Sequence, residues 1–523
     1  MTTGEMHATV ASLTKVLNSE RIMINEMKDY IKVHNITDEN VSIVIAWLDW
    51  ENYHLLLSPE QKLADACSGF KAMMRLVKDW GYRRRVIEEA MLLDHPRIVE
   101  IMDANTAGFP NEDDFTRAAE AVIRLQYVYE FSPKDLASGA VHPNAGRLDA
   151  ASCYILAKVT KNKEDWINTA RWLEYAFELV TQHEDKTIGL NFVYPALLES
   201  YDDMNDVRYL HRMRELANMY LEAELDEAKA KAFVDKITSK INKEIEHKQK
   251  FCDNNEECIK QAEGEFRDSQ VTDVDHSFVP VKHNANIEKY KALCRGDQNV
   301  YKGGKHLHCS IRRYSPIHVL RPLKEEILLL EPVFVAVYHD LLSDEDISTL
   351  QSIARPHLNE SVMVNDFQNE DFRDSETAWV GDFESHKVKA ISERSVSIGN
   401  LSNEICEDFQ VVCYGPGGHY TPHLDSSPSL EHYDIFGDRI ATVLHYLNHV
   451  EGGATVFPEL NLRIEPEKGM ALFWFNLFRN GTLNPDTLHA GCPVIHGNKW
   501  IANKWVRNVG NIFQRPCLLD SQL

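Results

Sequence analysis

A chain of 523 residues is too long for one hydrophobic core, so about two to four domains are expected. Hydrophobic content of 44% and charged content of 26% exclude a fibrous or disordered chain and fit a soluble, globular one. The net charge of −24, from 56 basic and 80 acidic residues, argues against a nucleic-acid or anionic-membrane partner, and no apolar run approaches the roughly 18 residues of a membrane span.

Met1 to Lys15 has no apolar h-region, so no secretory leader is visible there. Val10, Leu13, Leu17, Ile24, Met27 and Ile31 follow 3-4 spacing, with Glu20 in the gap. About three heptads of apolar a and d positions suggest a short coiled coil; an amphipathic helix packed on its own domain has the same spacing. Further helices are expected through Ala46 to Leu48, from Phe70 to Trp80, and from Phe115 to Tyr129 after the break at Phe109 to Asp114. From about Asp149 to Asp235 the pattern is helix–turn–helix, as in a tetratricopeptide-like solenoid, with Trp166, Trp172, Ala176 and Tyr201 at packing positions. Glu224 to Lys250, rich in Glu, Lys and Ala, reads as a long solvated helix. Phe251 to Lys305 has few apolar residues and reads as a linker. Pro332 to Tyr338 is strand-like, and Ser343 caps a short helix with Glu345 and Asp346 in its first turn. From Phe409 to Arg507, short β-rich runs are separated by turns, which fits a double-stranded jelly roll.

Within that β-rich region stands His423-Leu424-Asp425, followed by His489 and then, ten positions on, by Lys499. Two imidazoles and a carboxylate bind ferrous iron on one face and leave the other open. Residues i and i+2 of a strand share a face, so H-x-D suits two of the three ligands, and the third must come from a distant strand. A bare H-x-D is weak in a chain with 23 histidines, where His183-Glu184-Asp185 and His432-Tyr433-Asp434 also resemble it. Context separates them. The first lies among helix formers and the second in a loop-like run, whereas His423 follows the strand-like Phe409 to Tyr414 and a turn at Gly415 to Gly418. Lys499 stands between strand-like segments, where a lysine needs an anionic partner.

The stretch from Tyr414 to Asp425 (YGPGGHYTPHLD) resembles the iron site of the collagen prolyl 4-hydroxylase alpha subunits. So do Arg439 to Leu444, Gly452 to Pro458, and Lys499 to Trp505. The likeness is dense from about Pro332 to Cys517 and thinner before it. It implies a multidomain α + β protein: a helical, coiled-coil dimerisation domain (1–140), a tetratricopeptide-like peptide-binding domain (141–240), a linker with a disulfide-tied segment (241–325), and a double-stranded β-helix dioxygenase domain with flanking helices (326–523). It implies Fe(II), 2-oxoglutarate, O2 and L-ascorbate, with hydroxylation of proline C4 in X-Pro-Gly triplets of procollagen. His423, Asp425 and His489 then hold iron, and Lys499 pairs with the distal carboxylate of 2-oxoglutarate near Tyr414 and Thr455. Tyr420, Arg439 and Trp505 match positions around the substrate proline, and Tyr154, Tyr175, Tyr194 and Tyr201 are candidates for a tyrosine row that grips a polyproline II ridge.

The same likeness implies an alpha–alpha dimer, a protein disulfide isomerase beta subunit in an α2β2 tetramer, residence in the endoplasmic reticulum lumen, and disulfides Cys294–Cys309 and Cys492–Cys517. Apart from the likeness, Cys252 and Cys258 are close enough in sequence to close a third, small loop. Asn-x-Ser/Thr sequons at Asn35, Asn40, Asn359, Asn400 and Asn480 are usable only in a secretory protein. There are two departures. Arg507 stands where the family usually has a histidine that aids co-substrate turnover, and Ala228 to Phe233 replaces the family's Arg and Asn on the helix after the peptide groove. Two other readings stay open: a related hydroxylase of other proline-rich secretory chains, and a peptide-binding assembly subunit with weak catalysis.

Overall fold

The structure, a computed structural model, describes residues 10–36, 63–91, 95–249, 285–297, 308–313, 316–361, 373–426 and 437–519. The chain divides into two compact units, one comprising residues 1–130 with 283–523, the other 131–282.

In the first unit the N-terminal helices are α1 (Val10–Val33), α2 (Ala66–Met74), α3 (Trp80–Met91), α4 (Pro96–Thr106) and α5 (Glu112–Tyr129). α5 starts where Asn111 and Asp114 cap each other's backbone N–H groups in a capping box. The apolar stripe of α1 is covered by its own chain: Leu13, Leu17, Ile24, Met27 and Ile31 are all buried, with α1 packed on α2 and α4. The stripe expected to form an intermolecular seam is therefore spent inside one chain. Glu20 is no flaw in it. Its buried carboxylate takes a bidentate bond from Arg75, at 3.0 and 2.6 Å, and a third from Trp80 Nε1 at 2.6 Å, which offsets the desolvation of the charge.

The second unit holds α6 (Pro133–Ser138), α7 (Ala150–Asn162), α8 (Trp166–Gln182), α9 (Leu190–Met204), α10 (Leu210–Glu222) and α11 (Glu227–Gln249), successive helices from α7 to α11 packing on one another. Trp172 and Ala176 are fully buried between them. α11 is solvated but not wholly: Ala230, Ile237 and Ile241 form a buried stripe, and Lys236 and Lys240 reach Asp202 on α9 at 2.6 and 2.5 Å.

The first unit continues with α12 (Ala285–Arg295), α13 (Pro316–Leu320), α14 (Asp344–Ala354), α15 (His386–Ser397) and strands β1 (His308–Arg312), β2 (Leu323–Leu329), β3 (Val335–His339), β4 (Asn359–Glu360), β5 (Glu376–Val380), β6 (Phe409–Tyr414), β7 (Tyr420–His423), β8 (Arg439–Tyr446), β9 (Glu451–Gly452), β10 (Thr455–Phe457), β11 (Leu462–Ile464), β12 (Ala471–Phe475), β13 (His489–Gly491), β14 (Val494–His496) and β15 (Lys499–Arg507). Ser343 caps α14 as its sequence predicts. Nine strands pair in the order β1-β2-β3-β12-β8-β15-β6-β5-β4, and four in the order β11-β10-β13-β7. The large sheet begins at β1, well before the Pro332 run.

Strand periodicity explains the layering. On β8, Thr442, Leu444 and Tyr446 face the small sheet, while Ala441, Val443 and His445 face away from it. The filling between the sheets is Val412, Leu444, Tyr446, Phe457, Leu472, Trp474 and Ile501. α14 and α15 cover the back, where buried His445 is satisfied by Ser395 and the Ala502 carbonyl, both at 2.8 Å.

The cysteine pairing differs from the expectation. Cys294 is bonded to Cys492, while Cys309 and Cys517 are free and exposed. α12 lies against the small sheet with Cys294 packed beside Ala454, Val456 and Ala490, which brings it to Cys492 across 198 residues. Cys252 and Cys258 lie outside the described residues.

Candidate active site

β7 and β13 are antiparallel neighbours with His423 directly opposite His489. Asp425 sits in the bend just past the end of β7. The ligand atoms of His423, Asp425 and His489 all lie within 4.8 Å of one another. Asp425 Oδ1 is 3.8 Å from His423 Nε2, and its Oδ2 is 3.7 Å from His489 Nε2. Metal bonds of about 2.1 Å separate neighbouring ligand atoms by roughly 3 Å, so the three groups fit one divalent ion after a small contraction.

Both rings present the same atom. His423 Nδ1 meets the Thr421 carbonyl at 2.8 Å, and His489 Nδ1 meets the Thr487 carbonyl at 3.0 Å. A carbonyl only accepts, so each Nδ1 carries the proton and each Nε2 lone pair points into the site. Burial, then the neighbouring His489, pushes the His423 imidazole down to about 3, so it stays neutral. Burial pushes Asp425 up, but the imidazoles, Arg439 and Trp505 outweigh it and leave its carboxyl below the ordinary range. Thr442 Oγ1 donates to Asp425 Oδ2 at 2.7 Å and accepts from Asn476 Nδ2 at 2.9 Å. Trp474 and Phe457 wall the His489 ring, with centroids at 4.8 and 5.5 Å. The rival His183-Glu184-Asp185 closes α8, where Asp185 accepts from the backbone of Ala150 and Thr187. His432 and Asp434 lie outside the described residues.

Lys499 opens β15 opposite Tyr414. It is 3% exposed, and its Nζ lies 5.5 and 5.8 Å from the rings of Tyr414 and Tyr446. Among the described residues it has no hydrogen bond or ion pair. Burial pushes its ammonium down to about 7, with Glu465 opposing. A buried cation without a hydrogen bond or ion pair among the described residues suits an anionic ligand. Two glycines lie close to the lysine: a Cβ on Gly491 would sit 3.8 Å from this Nζ, and one on Gly453, whose φ is +67°, would sit 3.1 Å from the lysine Cδ. Thr455, opposite Gly491, accepts from Tyr446.

Tyr420 stacks on His423 with centroids 3.5 Å apart. Arg439 lies 3.7 Å over the Trp505 ring and donates to the Asp425 carbonyl at 3.2 Å. Glu407, which carried no sequence signal, takes both Arg439 (2.6 and 2.7 Å) and Arg507 (2.8 Å), and Arg507 also donates to the Gly437 carbonyl at 2.7 Å. The solenoid tyrosines are not an exposed row. Tyr194 is buried between Phe177 and Tyr220, Tyr201 is buried and bonded to Glu174, and Tyr175 is buried; Tyr154 is half-buried under Lys158.

Residues 9–143 match the family described as prolyl 4-hydroxylase alpha-subunit, N-terminal region, and residues 409–507 match the 2OG-Fe(II) oxygenase superfamily. Prolyl 4-hydroxylase subunit alpha-1 of Gallus gallus is 30% identical over 539 residues, covering 99% of each chain. The chain belongs to the prolyl 4-hydroxylase alpha-subunit family. It is a 2-oxoglutarate-dependent dioxygenase acting on proline. The human alpha-1 subunit is 29% identical, covering 98% of this chain and 95% of that one, and the Caenorhabditis elegans alpha-1 subunit is 29% identical, covering 99% and 91%. A viral collagen prolyl hydroxylase from Paramecium Bursaria Chlorella virus-1, solved with 2-oxoglutarate, is 30% identical over 33% of this chain and 95% of that one, with a TM-score of 0.28.

Proposed function

We propose that this alpha subunit hydroxylates proline at C4 in X-Pro-Gly sequences of procollagen, coupled to oxidative decarboxylation of 2-oxoglutarate to succinate and CO2. One oxygen atom of O2 goes to the proline and the other to succinate. His423, Asp425 and His489 hold Fe(II), and Lys499 holds the distal carboxylate of 2-oxoglutarate, with Tyr414 and Thr455 beside it. Bound iron supplies the activation of O2; the protein supplies orientation and exclusion. Thr421 and Thr487 fix the imidazoles, Thr442 aims the Asp425 carboxylate, and the Trp474 and Phe457 rings keep water from the His489 side. Tyr420, Arg439 and Trp505 form the wall for the pyrrolidine ring, an apolar surface with a cation for peptide carbonyls.

The observation that supports this reading is a buried ammonium without a hydrogen bond or ion pair among the described residues, beside Gly491 on the strand whose His489 joins His423 and Asp425 in one cluster. L-ascorbate returning iron to the ferrous state, Tyr154 as part of a peptide groove, a disulfide isomerase partner and residence in the endoplasmic reticulum lumen belong to the same proposal and rest on family membership. The test is succinate release with and without a (Pro-Pro-Gly) repeat peptide. Peptide-stimulated release that is lost in His489→Ala supports the proposal. Release stimulated only by other proline-rich peptides would move the substrate, and peptide binding without turnover would remove the catalytic role.

A further inference from the structure

The turn Gly415-Pro416-Gly417-Gly418 joins β6 to β7, and so delivers the strand that carries His423. It is also tied to the strand that leads to Lys499: Gly417 N donates to the Val494 carbonyl at 2.7 Å, and Val494 N donates to the Gly418 carbonyl at 3.1 Å. The spacing between the metal strand and the lysine strand is therefore set at this turn.

The N-terminal helices grip the same turn. Arg124 of α5 donates to the Gly417 carbonyl at 2.7 Å and pairs with Asp374 at 2.9 Å, and Asp374 N in turn donates to the His419 carbonyl at 3.1 Å. The Arg124 side chain is 10% exposed. Ala121, one helical turn earlier, presses on Gly417, whose φ is +77° and whose added Cβ would lie 2.6 Å from the Ala121 Cβ. Pro416 and the helix residues Gly69, Phe70, Ala118 and Ala121 line one small cavity. Tyr129, at the end of α5, donates to the Pro493 carbonyl at 2.7 Å, just before β14. On the far side of β14, Gly497 N donates to the Ala64 carbonyl at 2.6 Å, and Asp65 bridges His496. Both ends of the β14 segment and the turn before β7 are thus held from the helical side.

We propose that the N-terminal helical layer is a working part of the active centre, with Arg124 as a positioning residue. Through Gly417 and Asp374 it fixes where β7 starts, and so sets His423 relative to Lys499. The inference rests on the site reading above. Arg124 bonds to the Gly417 carbonyl and to Asp374, so its loss reaches the site through the turn and Asp374. A displacement of about 1 Å at a site, or loss of a group that orients a ligand, costs on the order of ten- to a hundredfold.

The test uses the full chain carrying Arg124→Ala, Arg124→Lys or Asp374→Asn. The readout is the visible charge-transfer band of the anaerobic Fe(II) complex, titrated with 2-oxoglutarate, beside the thermal midpoint. Arg124→Ala is expected to weaken 2-oxoglutarate binding about tenfold or more with its midpoint near that of the parent, and Arg124→Lys to recover part of the loss. Folded variants whose 2-oxoglutarate affinity stays within twofold of the parent overturn the proposal. If Arg124→Ala does not fold, unchanged affinity in Asp374→Asn and Arg124→Lys overturns it in the same way. A parent chain that gives no such band overturns the metal-site reading instead, so the two failures are told apart.

Discussion

Replacing Lys499 by Met pulls stability and function in opposite directions. In the folded chain the ammonium ionises near 7, against 10.5 for a free lysine. A lysine lowered in this way costs the fold free energy at every pH below 10.5, and the full cost is reached below 7. The difference, 10.5 − 7 = 3.5, at about 1.4 kcal/mol for each pH unit, sets a ceiling of roughly 5 kcal/mol. Partial relaxation toward water reduces that, so Lys499→Met should stabilise the co-substrate-free chain by about 1–4 kcal/mol at pH 7. The gain should shrink as pH rises from 7 toward 10. The same change removes a charge-assisted bond to the distal carboxylate of 2-oxoglutarate, worth about 1.5–3 kcal/mol, and so should raise its KM by ten- to a hundredfold or more. Denaturant unfolding of the co-substrate-free chain and steady-state succinate release measure the two halves. A variant less stable than the parent at pH 7, or one whose KM for 2-oxoglutarate stays within twofold, would refute the reasoning.

Thr442→Val removes the 2.7 Å bond to Asp425 Oδ2 and strands Asn476 Nδ2; Fe(II) affinity should fall about 10- to 100-fold, read by metal titration. Since Lys499 must be charged to hold an anion and ionises near 7 in the empty site, the KM for 2-oxoglutarate should rise as pH increases above 7, approaching about tenfold per unit, and Lys499→Met should flatten that profile. Glu407→Gln loosens Arg439 and Arg507 together; the KM for a proline-rich peptide should rise about tenfold while that for 2-oxoglutarate changes little, and equal rises in both would count against a peptide role for Arg439.

The metal cluster was legible in the sequence because its signal is local. H-x-D after a strand and a glycine turn needs little tertiary knowledge, and His489 arrives from a distant strand as expected, though β13 lies beside β7 in the same small sheet rather than in the facing one. The cap at Ser343 is local in the same way, whereas the helix expected from Phe115 begins three residues earlier, at Glu112, behind an Asn111 cap. What failed to show depends on partners far along the chain. An apolar stripe on α1 states that something covers it, but not that α2 and α4 do. Cys294 had a nearer candidate in Cys309, and only the docking of α12 on the small sheet selects Cys492. The solenoid tyrosines carry no mark that separates a core ring such as Tyr194 from a rim ring such as Tyr154. Glu407 and Arg124 act by pairing with groups 32 and 250 residues away, so nothing near them announces their role.

His423 and His489 belong to the small sheet, whereas Lys499 opens a strand of the large one. Facing sheets stand about 10 Å apart, and this interval is filled by Trp474, Leu444 and Ile501, so it does not readily narrow. Under the proposed function, a diacid held at both the metal and the ammonium has to span this interval. Oxaloacetate, one carbon shorter than 2-oxoglutarate, is then expected to be the weaker co-substrate, and equal KM values for the two would count against an anchor at each end.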